Sequence, residues 1–201
     1  MASGTVSARS CSRFFLDGPR RGKLLVVSGP SGVGKTSVVA GLAAAADFHF
    51  SVSMTTRLPR PTEVEGVDYS FVSRAEFEDA VAAGELLEWA EYGGNLYGTP
   101  HAGVKARLSA GENVLLDIEN DGAGQVKESY PDAILIFLLP PSMRELERRL
   151  RERGDTDDEQ VRRRLAVAEA QIADAEANFD FLVVNDDIES AVSRVTGIVG
   201  P

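Results

Sequence analysis

Short apolar runs alternate with amphipathic segments along most of the chain. Lys23–Ser28 (KLLVVS) is apolar, rich in β-forming residues and followed by a glycine, a pattern typical of a buried parallel strand. A helix is predicted to follow from Lys35 to about Ala46. Five further runs are predicted to be strands: His49–Thr55, Asp68–Val72, Asn113–Ile118, Ala133–Leu139 and Phe181–Val184.

Helical patterns separate these strands. The remaining helices are predicted at Arg74–Ala83, Pro100 to about Ala110, from about Gly122, Ser142–Arg153, Thr156–Ala177 and from about Asp187, the last with Ile188, Val192, Val195 and Val199 facing inward. Alternating strands and helices predict an α/β fold, with a parallel sheet and helices on both of its faces. Residues 54–100 interrupt the alternation with clustered short strands, so we interpret them as an inserted subdomain.

Composition and charge narrow the possible functions. The 201 residues suit one domain, and the net charge is −10. Residues 1–23 are basic, which leaves a net charge of −14 on the rest, a field that disfavours nucleic acid and anionic membranes as partners. Cys11 is the only cysteine, which excludes an intramolecular disulfide and a cysteine-cluster zinc site. No apolar run is long enough to span a membrane, and we expect a cytoplasmic protein.

The first 22 residues show no sustained periodicity. They are rich in Ser, Gly and Arg, so we expect a disordered N-terminal tail at 1–22. A transit peptide is the alternative, but the segment is short and lacks a clear amphipathic face.

A glycine-rich segment directly after the first predicted strand matches G-x-x-x-x-G-K-[ST]. Its residues are Gly29, Pro30, Ser31, Gly32, Val33, Gly34, Lys35 and Thr36. Glycines let backbone N–H groups converge on phosphate oxygens, and the following helix adds its positive N-terminus. Lys35 is expected to reach the β and γ phosphates, and the Thr36 hydroxyl to bind Mg²⁺. This motif predicts a site for ATP or GTP, and a GTPase switch, an ATPase and a small-molecule kinase all fit it.

Later segments are similar to the guanylate kinase family. They are Ser51–Arg60, Glu63–Phe71, Leu87–Thr99, and the downstream Arg153-Gly154, Arg164-Leu165 and Val184-Asn185-Asp186. The resemblance extends from about Lys23 to Val199. It implies a core at 23–53, 101–140 and 178–201, a GMP-binding insertion at about 54–100, and a mobile helical lid at about 141–177.

The resemblance implies roles for residues at the acceptor end of the site. Those matching positions that hold the GMP phosphate are Arg57, Arg60, Tyr69 and Tyr97, and those around the guanine are Ser53, Glu88 and Thr99, with Gly98 in the same block. A carboxylate can accept from both N1–H and the N2 amino group of guanine, whereas adenine would leave it unsatisfied. Asp117 and Glu119 match acidic positions near Mg²⁺ and the GMP ribose.

The resemblance also implies roles at the donor end. Lid and catalytic arginines match Arg149, Arg153 and Arg164, and positions beside the ATP adenine match Asn185 and Asp186. The implied catalytic set is Lys35, Arg60, Arg153 and Arg164, and Thr36 and Asp117 are the implied metal ligands. Three places depart from the family pattern: Thr62 replaces a glycine, Asp155 lies in an altered lid motif, and Glu119 begins a changed Glu-Asn-Asp-Gly segment.

The implied activity is transfer of a phosphoryl group from ATP to GMP with Mg²⁺, with these two nucleotides as the small-molecule partners. One alternative is a guanylate-kinase-like scaffold without catalysis, although such modules are expected to lack the glycines or lysine of the phosphate loop. Another is a kinase for a different phosphate acceptor, against which Glu88 and the segment 91–99 argue.

Overall fold

Two sheets and seven helices make up the described part of the chain. The computed structural model describes residues 21–45, 48–152 and 157–200. Its strands are β1 (Leu24–Ser28), β2 (Phe48–Phe50), β3 (Ser53–Thr55), β4 (Tyr69–Phe71), β5 (Leu86–Tyr92), β6 (Asn95–Pro100), β7 (Asn113–Asp117), β8 (Ile134–Leu139) and β9 (Phe181–Val184). Its helices are α1 (Lys35–Ala45), α2 (Arg74–Ala82), α3 (His101–Ser109), α4 (Asn120–Ser129), α5 (Met143–Glu152), α6 (Asp158–Asn178) and α7 (Ile188–Val199).

The first sheet is parallel throughout and has the strand order β2-β7-β1-β8-β9. Its central strand β1 is buried along its whole length, and successive side chains enter two different cores. Leu25 and Val27 pack with α1 and α7, whereas Leu24 and Val26 pack with α3 and α4. This arrangement confirms the predicted α/β fold with helices on both faces of a parallel sheet.

The second sheet is small and mixed, with the order β4-β3-β6-β5. Strands β3 and β4 are parallel, and β6 is antiparallel to both β3 and β5. Gly93 and Gly94 join β5 to β6 with φ values of 59° and 79°, a backbone that favours glycine in a tight hairpin. Ser73 begins α2 with a reciprocal capping box to Glu76.

The prediction of one strand over His49–Thr55 is wrong. The chain forms β2 in the first sheet and β3 in the second, and it crosses between them at Ser51 and Val52. The Ser51 backbone N–H still donates to Leu115 O of the first sheet at 3.1 Å, whereas Ser53 pairs with Tyr69 of the second. One continuous strand pattern in the sequence therefore corresponds to two strands in different sheets, because the backbone changes its hydrogen-bond partners within two residues.

Helices α5 and α6 pack against each other. Ser142 caps α5 through the Glu145 backbone N–H at 3.1 Å, as predicted, and Asp157 caps α6 in the same way. Val161 and Ala168 of α6 are buried against Leu146 and Leu150 of α5. The predicted end of the first helix at Arg153 and the predicted start of the second at Thr156 lie outside the described residues, as do residues 1–20 of the predicted tail.

The prediction that Ile188 faces inward is also wrong. Ile188 is the first residue of α7, directly after the cap Asp187, and 45% of its surface is exposed. The other three predicted residues do face inward: Val195 and Val199 are buried with Ala191 in the core shared with α1, and Val192 packs against that core. Across the described residues, no helix combines the length and apolar character needed to cross a membrane.

The contact between α1 and α7 depends on the absence of a side chain at Gly41. A Cβ at that position would lie 2.6 Å from Val192 Cγ2, and a β-branched side chain has little rotational freedom to move away. We expect Gly41→Ala to lower the free energy of unfolding by about 1 kcal/mol, because overpacking outweighs the helix propensity of Ala. Urea denaturation measures this change.

Gly197 on α7 is the matched control, because a Cβ there would meet no atom within 4 Å. Gly197→Ala should raise the free energy of unfolding by about 0.5–1 kcal/mol. Gly41→Ala combined with Val192→Ala should recover part of the loss. Equal stabilisation by the two single alanine variants would contradict close packing at Gly41.

Candidate active site

A cleft of about 640 Å³ opens where β1 and β7 end, and residues of the second sheet form its other side. Ligands of open α/β sheets bind outside the carboxyl ends of the strands, which is where this cleft lies. The predicted site residues that line it are Gly29, Pro30, Ser31, Gly32, Gly34, Lys35, Thr36, Ser53, Arg57, Arg60, Tyr69, Glu88, Tyr97, Gly98, Asp117, Glu119 and Arg149. The structure also adds four residues that the sequence analysis did not single out, namely Ser37, Ala90, Tyr92 and Ile118.

The phosphate loop connects β1 to α1. Gly32 and Gly34 have φ values of 88° and 98°, and a Cβ at Gly34 would lie 2.6 Å from Asn185 Nδ2. The Val33 side chain is buried, so Val33 contributes to the loop through its backbone. Its carbonyl oxygen accepts from Asn185 Nδ2 at 2.8 Å and from Arg149 Nη1 at 3.0 Å. These two bonds fix the loop from the side of α5 and β9.

Lys35 begins α1 and lies between two carboxylates. Its Nζ is 2.9 Å from Asp117 Oδ1 and 3.6 Å from Glu119 Oε1. Burial acts to lower the pKa of Lys35, but Asp117 and Glu119 outweigh it, so the pKa is raised above its ordinary value. Lys35 is therefore charged, and its side chain is still 17% exposed to the cleft. Thr36 and Asp117 bring oxygen atoms of the kind that Mg²⁺ prefers to this end of the cleft.

Arg57 and Arg60 lie in the loop after β3, on the side of the second sheet. The Arg57 guanidinium is 5.4 Å from the centroid of the Tyr69 ring, and the Tyr69 and Tyr97 rings meet edge to face. The Arg60 side chain is 70% exposed. No described residue other than glycine has a positive φ, so Thr62 does not need the left-handed backbone that a glycine would allow.

Glu63 holds both arginines, and the sequence analysis did not assign it a role. Its carboxylate accepts from Arg57 Nη2 at 2.8 Å and from the Arg60 backbone N–H at 2.8 Å. The hydrogen bond from Arg57 and then that from Arg60 lower the pKa of Glu63. The sequence clue to this role is the spacing of the two residues. Glu63 follows Arg60 by three residues, which allows a turn in which the Glu63 backbone N–H donates to Arg60 O.

Glu88 is a carboxylate with only 4% of its surface exposed, yet it borders the cleft. Thr99 is fully buried, and its Oγ1 donates to Glu88 Oε1 at 2.6 Å. Thr99 therefore does not line the cleft but orients Glu88. A Cβ at Gly122 would lie 2.5 Å from Glu88 Oε2, so the absence of a side chain there makes room for the carboxylate.

Gln125 joins α4 to β5 of the second sheet beside Glu88 and is a second residue that the sequence analysis missed. Its Oε1 accepts from the Trp89 backbone N–H at 3.1 Å, and its Nε2 donates to Trp89 O at 2.9 Å. β5 is the edge strand of the second sheet, and these bonds satisfy the Trp89 backbone on the edge that has no partner strand among the described residues. No local sequence pattern marks a side chain that pairs with backbone 36 residues away.

The remaining predicted residues lie around the donor end. Arg149 contacts the phosphate loop and also donates to Asn185 O at 3.2 Å. Asn185 lies under the loop rather than on the cleft surface, and Asp186 is paired with Arg194 at 3.1 Å. Arg164 is half-buried on α6 and makes no hydrogen bond or ion pair with another described residue. Arg153 lies outside the described residues.

The environment of Glu88 predicts a pH dependence of stability. Burial raises its pKa above the ordinary value, against the opposing hydrogen bonds from Thr99, so the ionised carboxylate destabilises the folded state at neutral pH. That cost disappears as the pH falls below the ordinary glutamate pKa. We expect the unfolding temperature of wild type, measured relative to Glu88→Gln, to rise as the pH falls from 7 towards 4. A difference between the two proteins that does not change with pH would contradict this assignment.

Comparisons with known proteins agree with this geometry. The sequence profile of the guanylate kinase family matches residues 21–200. The chain is 50% identical to the guanylate kinase of a Synechococcus strain, covering 90% of this chain and 83% of that one, and 52% identical to that of a Thermus thermophilus strain, covering 89% and 81%. The crystal structure of guanylate kinase from Anaplasma phagocytophilum matches with a TM-score of 0.73 at 36% identity, over 89% of this chain and 85% of that one. The chain belongs to the guanylate kinase family.

Proposed function

We propose that the cleft is where this guanylate kinase transfers the γ-phosphoryl group of ATP to GMP, giving ADP and GDP. The observation that carries the proposal is the buried carboxylate of Glu88 on the same cleft as the phosphate loop. Glu88 has no cationic partner among the residues that the structure describes, and such a carboxylate on a cleft suits a ligand with two adjacent donors, as guanine has. The proposed function thus rests on two ends of one cleft: the donor end, which would bind ATP, and the acceptor end, which would bind GMP.

The donor end binds the phosphates of ATP. The backbone N–H groups of residues 31–36 and the N-terminus of α1 surround the phosphates, and Lys35 moves its charge from Asp117 to the β and γ phosphates. Thr36 and Asp117 would hold Mg²⁺, which when bound neutralises charge on the phosphates. Arg149 supports the loop through Val33 and adds positive charge at this end. Asn185 and Asp186 flank the adenine in this proposal.

The acceptor end binds GMP. Arg57, Arg60, Tyr69 and Tyr97 supply donors for a dianionic phosphate, and Glu63 keeps the two arginines together. Glu88 accepts from N1–H and the N2 amino group of guanine, and Thr99 orients it. Ser53 and Gly98 border the same pocket, and Glu119 lies towards the ribose.

The transfer itself needs no covalent intermediate with the protein. An oxygen of the GMP phosphate attacks the γ phosphorus in line, and ADP leaves with the electron pair of the broken P–O bond. Lys35, Arg60, Arg153 and Arg164 stabilise the charge that spreads over the transferred group. In this proposal the segment at about 141–177 acts as a lid and that at about 54–100 as the GMP-binding insertion, and their closure excludes water. The protein acts in the cytoplasm, where both nucleotides are present.

The two alternatives fit the site less well. A scaffold without catalysis has no need of Lys35 held at the mouth of an intact phosphate loop. A kinase for a sugar or an acid has no need of a buried carboxylate oriented by Thr99 at the acceptor end. Both alternatives remain outcomes of the experiment below.

The preference of the enzyme among nucleoside monophosphates tests this function. Each of GMP, AMP, CMP and UMP is offered with ATP, and ADP release is measured for wild type, Glu88→Ala and Glu91→Ala. A hydrogen bond to a charged acceptor contributes about 1.5–3 kcal/mol, so Glu88→Ala should lower kcat/KM for GMP roughly a hundredfold or more. The KM for ATP should change little, because ATP binds at the other end.

Glu91 is the matched control, because it lies on the same strand β5 but is exposed and does not line the cleft. Glu91→Ala should keep the preference of wild type for GMP over AMP. Phosphorylation of another monophosphate in preference to GMP, or no ADP release with any of them, would contradict the proposed function. Loss of base preference in Glu91→Ala but not in Glu88→Ala would show that the wrong carboxylate was chosen.

A further inference from the structure

Asn120, the first residue of α4, connects three parts of the molecule through one side-chain amide. Its Nδ2 donates to Gln171 O at 3.0 Å and to Asp174 Oδ2 at 2.9 Å, both on α6. Its Oδ1 accepts from Ser28 Oγ at 3.0 Å. Ser28 is fully buried and directly precedes Gly29 of the phosphate loop. The amide therefore joins the base of the phosphate loop to the middle of α6.

A second contact runs parallel to this one. Gln171 Nε2 donates to Glu119 Oε2 at 3.0 Å, and the other Glu119 oxygen lies 3.6 Å from Lys35 Nζ. Asp174 is in turn held by Asn178 Nδ2 at 2.7 Å. Asn120 lies in the Glu-Asn-Asp-Gly segment in which this chain departs from the family pattern.

The anchored part of α6 lies on the same continuous helix as Arg164. Arg164 and Gln171 are seven residues apart, which is close to two helical turns and about 10.5 Å along the axis, so they share a face. Both side chains are half-buried, and both adjoin the buried stripe of Val161, Ala168 and Ala175. Rotation or sliding of α6 at Gln171 would therefore carry Arg164 with it.

We propose that Asn120 is a positioning residue for phosphoryl transfer, because it fixes the C-terminal part of α6, where the proposed lid joins the core, relative to the phosphate loop. Closure of the lid then brings Arg164 to the transferred group. The inference rests on the proposed function. Only an amide can fill this role without change elsewhere, since the site needs two donors towards α6 and an acceptor towards Ser28. The expected consequence of disturbing it is a lower kcat with little change in the KM for either nucleotide.

The test reverses the direction of the hydrogen bond between residues 120 and 174 in the full-length protein. Asn120→Asp removes both donors and places a carboxylate against Asp174, which repels it. We expect kcat to fall about tenfold and the KM for GMP to stay within about twofold. In the double variant Asn120→Asp with Asp174→Asn, the amide at 174 donates to the new carboxylate. That variant has the net charge of wild type and should recover most of the lost kcat.

Lys127→Met is the matched control for general damage to α4. Lys127 lies near the other end of the same helix and bridges to Asp180 at 2.9 Å and to Ala133 O at 2.7 Å, away from the cleft. This variant should lose thermal stability while its kcat stays that of wild type. A fall in kcat as large as that of Asn120→Asp would overturn the assigned role, because any weakening of α4 would then suffice.

Hydrogen exchange of the α6 backbone in the nucleotide-free proteins gives a readout independent of activity. Asn120→Asp should exchange faster over residues 158–178, and the double variant should return towards wild type. An active wild type with unchanged kcat in Asn120→Asp, or a double variant that regains slow exchange but not kcat, would overturn the inference. A wild type that does not phosphorylate GMP would instead overturn the proposed function, while the exchange data would still test the link to α6.

Discussion

The ion pair between Lys35 and Asp117 is the interaction on which the site depends. Strands β1 and β7 are parallel neighbours with Val27 opposite Asp117, so the carboxylate emerges beside the loop that leads to Lys35. In the proposed function, the pair keeps a cation charged at the mouth of the cleft, where the phosphates of ATP would bind, and keeps an acidic oxygen where it would reach a metal. Glu119, with Oε1 3.6 Å from Lys35 Nζ, adds a second negative charge on the same side of the lysine.

The other parts of the site are held in the same way, by polar groups that connect separate elements. Arg149 and Asn185 both bond to Val33 O and so connect the phosphate loop to α5 and to the end of β9. Gln125 connects the second sheet to α4, and Asn120 connects α6 to the end of β1. Leu87 of β5 adds an apolar contact, because it is buried in the same core as Leu24 and Val26 of β1. The elements around the cleft are thus joined by a few specific hydrogen bonds together with this shared core.

The sequence predicts the elements of this structure better than its contacts. The phosphate loop, the buried strand before it and the capped helix at Ser142 follow from local patterns that the structure reproduces. The break between β2 and β3 could not be predicted, because the apolar pattern continues across it while the hydrogen-bond partners change. The roles of Glu63, Gln125 and Asn120 were missed because the groups they orient are recognised only once the fold brings them together. Thr99 was predicted near the base, but its contact with Glu88 across a strand pair needed the register of β5 and β6.

Calorimetric titration of ATP without Mg²⁺ tests most directly the claim that Lys35 exchanges Asp117 for phosphate. Asp117→Asn removes both a competitor for Lys35 and a negative charge near the phosphates, so it should bind metal-free ATP more tightly than wild type. Lys35→Ala should bind it more weakly, and with Mg²⁺ both variants should turn over more slowly than wild type. Weaker binding of metal-free ATP by Asp117→Asn would contradict this account, because the carboxylate would then help to hold the nucleotide instead of holding the lysine.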